Sequence, residues 1–165
     1  MPNHTNNLPI FIVRAVDALA LFGGGILVLV VLVNVLATLL NALTIGFAGD
    51  FELTEMGIAI TVFCFLPLCQ RDGAHVAADI FTQGLGAGVR TFLQHIATFI
   101  SLLIALMLLW RMSYGFIDQW QYGYQTAILQ LPHWAAYVPI LLALLLWSVV
   151  ALLQLMSIFR KPNNA

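Results

Sequence analysis

Two stretches of this chain carry no acidic or basic side chain, one between Asp17 and Asp50 and the other between Asp118 and Arg160. Each exceeds the ~20 residues a helix needs to cross a hydrocarbon core. Apolar residues make up 62% of the 165 and charged residues 8%, against roughly 45–50% and about 25% in a typical soluble domain. A soluble fold of this length cannot hide so much apolar surface, so the chain is expected to be an integral membrane protein. Its net charge of −1, with no basic cluster, argues against a nucleic-acid partner.

Four spans are expected, at about 18–40, 53–69, 92–110 and 135–159, in a single four-helix transmembrane domain covering 1–165. The first apolar run is too long for a signal-peptide core, and no A-x-A site follows it, so no cleaved leader is expected. With four spans, both chain ends and the connection between the second and third spans share one side. That side holds Arg14, Arg71, Arg90, Arg160 and Lys161, and only Arg111 falls on the other. The bias predicts that both termini are cytoplasmic.

The connection on that side reads "QRDGAHVAADI", residues 70–80. Asp72, His75 and Asp79 recur on one helical face, which admits a metal site, but any amphipathic helix produces the same spacing. Val76, Ala77, Ile80 and Phe81 form the opposite face, so a short interfacial helix over about 74–83 is expected, apolar side down. The run "GLGAG" after it lacks the strand and spacing of a phosphate loop and reads as a turn into the third span.

Other polar residues bring chemistry to mind and then fail its geometry. Cys64 and Cys69 lie five apart, about 140° around a helix, and toward the cytoplasmic end, so buried structural thiols are expected rather than a redox pair. The four histidines cannot supply facing imidazoles at one depth for haem; His95, inside a span one turn from Thr98, suits a contact between helices. Asn34, mid-span, suits the same. Glu52 and Glu55 open the second span on one face, with Asp50 placed to cap it. They serve either the helix dipole or an ion or partner subunit at the membrane edge; both readings stay open. Seven of the eight Trp and Tyr residues lie between Trp110 and Tyr137, a one-sided belt that suggests a protein neighbour as well as headgroups.

Two blocks read together. "ELTEMGIAITVFCFLPLCQRDGAHVAADI" begins with Glu52 and Glu55 and ends with Arg71, Gly73, His75 and Asp79 in a basic-x-Gly-x-His-x-x-x-Asp pattern. "YQTAILQLPHWAAYVPI" carries Pro132, Trp134 and Pro139. This resembles the DctQ family, the small membrane subunit of TRAP (tripartite ATP-independent periplasmic) transporters. The resemblance implies an all-α membrane protein of the bacterial inner membrane, with four transmembrane helices plus the interfacial helix. It also implies a role without catalysis: scaffolding a large membrane subunit that takes up an organic acid delivered by a periplasmic binding protein. No cofactor is expected, and sodium coupling is expected in the large subunit. The family often has an arginine late in the first helix where this chain has Thr38. A self-sufficient carrier acting as a homo-oligomer is the alternative, and a small membrane enzyme is a more distant one. The first needs polar groups near mid-membrane; the second needs a convergent set of reactive groups.

Overall fold

The computed structural model describes residues 8–43, 46–72 and 87–160. The expected interfacial helix at 74–83, with Gly73, His75 and Asp79, lies outside the described residues. Within them the chain forms four helices: α1 (Ile10–Ala42), α2 (Asp50–Asp72), α3 (Ala87–Tyr122) and α4 (Trp134–Arg160). Each contains a segment long and apolar enough to cross a membrane. The protein is an all-α, multi-pass membrane protein.

The helices run past the apolar stretches that predict them. α1 encloses Arg14 and Asp17, and α3, at 36 residues, encloses Gly88, Arg111 and Asp118. A helix satisfies its own backbone hydrogen bonds and has no reason to stop where hydrocarbon stops. At about 1.5 Å per residue, α3 is about 54 Å long, well beyond a core of about 30 Å. α2 opens on Asp50 itself, so Asp50 and Glu52 occupy its first turn and Asp50 is not the residue before it.

Order along the chain is not order in space. α1 packs on α2, α2 on α4 and α4 on α3, with only a marginal contact between α1 and α4. The arrangement is an open row, α1-α2-α4-α3, and not the closed bundle the span count suggests. It has a terminal end, where α1 begins and α4 finishes, and a loop end, where the α1–α2 and α3–α4 connections lie.

α4 is the most enclosed helix. Ile140, Leu144 and Trp147 meet Ala105 of α3, with Ile60 and Phe63 of α2 and Met112 of α3 around them. α1, at the end of the row, buries one narrow stripe: Val16, Ala20, Gly23, Val30 and Ala37. Much of the rest of its surface, including Leu21, Val28, Leu32 and Leu36, is exposed. Lipid tails are as apolar as leucine, so this seam forms by close packing and not by exclusion of water. Small residues permit the approach. A side chain on Gly57 of α2 would overlap the γ-methyl of Val30, and one on Gly23 of α1 would lie 2.6 Å from the Cys64 Cβ. The Thr61 hydroxyl crosses the same seam to the Gly23 carbonyl at 3.2 Å.

Candidate functional site: a polar spine along the second helix

α2 supplies a polar group to each of its neighbours. Nearest the loop end, the Asn34 amide donates to the Thr54 hydroxyl at 2.7 Å and to its own helix at Val30 O, 2.8 Å. Thr54 in turn donates its hydroxyl hydrogen bond to Asp50 O at 2.7 Å. The expectation that Asn34 contacts a helix holds. Thr38 turns its hydroxyl back to Asn34 O at 2.8 Å. It lines a shallow, apolar-walled groove of about 500 Å³ between α1 and α2.

Glu52 reaches across to the α3–α4 loop. Its two carboxylate oxygens accept the backbone N–H groups of Ile128, at 2.7 Å, and Leu129, at 2.9 Å. Those amides sit at the tip of the α3–α4 loop. The loop closes on itself through Thr126 N to Leu131 O, Leu131 N to the Thr126 hydroxyl, and His133 N to Tyr124 O. Pro132 pairs with Gln125 in an isolated bridge. Gln130 adopts a left-handed backbone, φ 53°, to complete the turn. Gly49 lets the tip sit down: its φ of +124° suits glycine, and a Cβ there would lie 2.7 Å from Leu129. Glu55 is exposed on the same helix. Trp134 opens α4 and stacks edge-on against Trp120 at 4.8 Å, while Pro139 lies inside α4.

At the terminal end, two adjacent residues of α2 hold the other three helices. Gln70, 2% exposed, accepts the Ser101 hydroxyl of α3 at 2.6 Å and the Trp147 indole N–H of α4 at 3.3 Å, both on Oε1. It donates to Gln154 Oε1 of α4 at 2.7 Å, and Gln154 returns a bond to the Gln70 carbonyl at 3.0 Å. Next to it, Arg71 pairs with Asp17 of α1 and, at 2.8 Å, with Asp72. The Arg71 side chain is 12% exposed and that of Asp17 50%, so the pair sits half in and half out of the packed row.

The expected residues therefore fall into two groups. Glu52, Glu55, Pro132, Trp134 and Pro139 lie toward the loop end. Arg71 stands at the other, roughly 28 Å away by helix rise, and Gly73, His75 and Asp79 lie beyond the described residues. Asp17, Gln70, Ser101, Trp147 and Gln154 carry contacts that the sequence reading does not single out. Cys64 is buried and free as expected, but Cys69 is free and exposed, because α2 turns that face away from both neighbours. His95 lies half-buried on α3. Among the described residues, no group of three or more His, Cys, Asp and Glu is placed to hold a metal.

Polar groups tie helix to helix inside four membrane-crossing segments, and the fold is that of a multi-pass membrane protein. The family model for tripartite ATP-independent periplasmic transporters, DctQ component, matches residues 27–161. The chain belongs to the DctQ family and is the small membrane component of a TRAP transporter. Neither the comparison with curated proteins nor that with solved structures gave a match.

Proposed function

We propose that this subunit is a scaffold in the bacterial inner membrane, with both termini cytoplasmic. It braces a large membrane subunit that takes up an organic acid with sodium, the acid being delivered by a periplasmic binding protein. One observation carries the reading: Asn34 and Ser101, polar groups within the membrane-crossing helices, are already engaged within the row, Asn34 with Thr54 and Ser101 with Gln70. A carrier acting alone needs such groups available to a solute or an ion. The bare face of α1 supports the same reading, since it offers a long apolar surface to another membrane protein. The five-to-one distribution of basic residues supports the orientation.

The test is reconstitution. The two membrane subunits, expressed together, are expected to purify as one complex. In liposomes with the binding protein added, they are expected to take up substrate only under a sodium gradient. Omitting this chain should abolish uptake. Uptake by this chain alone would overturn the scaffold reading in favour of an autonomous carrier; full activity of the large subunit without it would overturn the scaffold reading outright.

A further inference from the structure

Glu52 is an unusual partner for a loop 76 residues away. A carboxylate in the first turn of a helix has a local use, the favourable dipole, and needs no distant donor. Here both oxygens are directed to consecutive backbone amides, Ile128 and Leu129, with the Thr126 hydroxyl alongside. A carboxylate facing a row of N–H groups makes the stronger, charge-assisted kind of hydrogen bond. Leu129 then lies over Gly49, and the loop tip is fixed at two points to the start of α2.

The consequence falls on the residue between those anchors and the outside. With its amide turned inward, Ile128 projects its side chain outward and is 56% exposed. Asp118 is exposed more than a turn before the end of α3, and Glu55 is exposed on α2. Charged side chains mark where the helices have left hydrocarbon, so the loop beyond Asp118 stands on the water side of these carboxylates. Lipid tails cannot be what Ile128 meets. An apolar side chain on an anchored backbone, standing beyond the exposed acids at the loop ends of α2 and α3, fits a soluble protein with an apolar contact and basic groups around it.

We propose that Glu52 is a positioning residue for the soluble binding protein: its carboxylate latches the α3–α4 loop so that Ile128 is presented ready-made to that partner. This rests on the scaffold reading and adds to it the residue that sets the docking surface. Holding the loop beforehand removes the ordering cost from the docking step. Nothing in the latch touches substrate, so its loss acts on the encounter and leaves the transport step alone.

The test uses the complete two-subunit complex in liposomes, with purified binding protein titrated against uptake rate. Glu52→Gln keeps the size of the side chain but turns an NH₂ toward a backbone N–H. Ile128→Ser alters an exposed side chain and leaves the latch in place. Hydrogen exchange over the loop peptide, read by mass spectrometry, reports the latch independently. For Glu52→Gln we expect faster exchange at the loop and about a tenfold rise in the half-saturating concentration of binding protein. The maximal rate should change by less than about twofold. Ile128→Ser should raise the half-saturating concentration similarly without changing exchange. Faster exchange with an unchanged titration would overturn the proposal, because the partner would then be indifferent to the loop. So would unchanged exchange, or loss of the two-subunit complex in either variant, which would assign the loop to the membrane partner. A failure of the scaffold reading is recognised separately, as wild-type uptake that does not need this chain.

Discussion

Replacing Gln70 with methionine removes the amide that joins α2 to α3 and α4 while nearly preserving its volume, so packing changes little. What remains is a polar deficit. The Ser101 hydroxyl can fall back on a carbonyl of its own helix, as serine in a helix often does. The Trp147 N–H and the Gln154 Oε1 lose their partners at a site where Trp147 is 7% exposed. Leaving a buried polar group unpaired costs about 1–3 kcal/mol. Interhelical hydrogen bonds in membranes average nearer 0.6 kcal/mol, because the separated helices find other partners. Three lost bonds at the lower figure and two orphaned groups at the higher one bracket the effect at about 2–6 kcal/mol. Reversible unfolding of the purified chain in mixed micelles, titrated with a denaturing detergent, measures it. Gln154→Leu on the same background should add less than it costs alone, since one partner is already gone. A Gln70→Met chain within about 0.5 kcal/mol of wild type, or strict additivity with Gln154→Leu, would refute the claim that this amide holds the row together.

Three further outcomes are expected. Gly57→Ala should cost about 1–3 kcal/mol in the same assay, because Val30 has one preferred rotamer in a helix and cannot swing aside; adding Val30→Ala should recover part of the loss, while Gly25→Ala, with open space around it, should have little effect. Arg71→Gln should cost only about 1 kcal/mol, since Asp17 is half exposed and solvent screens the pair; the difference from wild type should shrink at high salt. A membrane-permeant maleimide should label Cys69 in the folded chain and Cys64 only after unfolding, as mass spectrometry of the labelled peptides would report.

The spans are legible in the sequence because hydrocarbon excludes charge so strongly that its absence over a long stretch has one main meaning. The faces of those spans are not. In water, a helix shows which side is buried by which side is apolar. In a bilayer the lipid side and the packed side are both apolar, so α1 carries leucine and valine all round and does not announce that only its Val16–Ala20–Gly23 stripe meets α2. Gln70 illustrates the difficulty best. It opens a polar stretch and reads as the first residue to leave the membrane, yet the rotation of α2 turns it inward to three partners on two helices. Asp17 reads as the edge of an uncharged run, although α1 and α2 run antiparallel and so bring it level with Arg71. Glu52 was legible as an acid worth weighing. Its partner was not, because a backbone amide leaves no mark in the sequence.

The row also has a history built into it. α1 with α2 and α3 with α4 are two hairpins, and the only broad seam between them is the one from α2 to α4. The hairpin made first reaches the bilayer with the Gln70 amide at its edge, while Ser101, Trp147 and Gln154 are still to be synthesised. Until they arrive, that amide lacks the partners that α3 and α4 provide. The second hairpin therefore supplies, from α3 and α4, the contacts that the first presents at its edge.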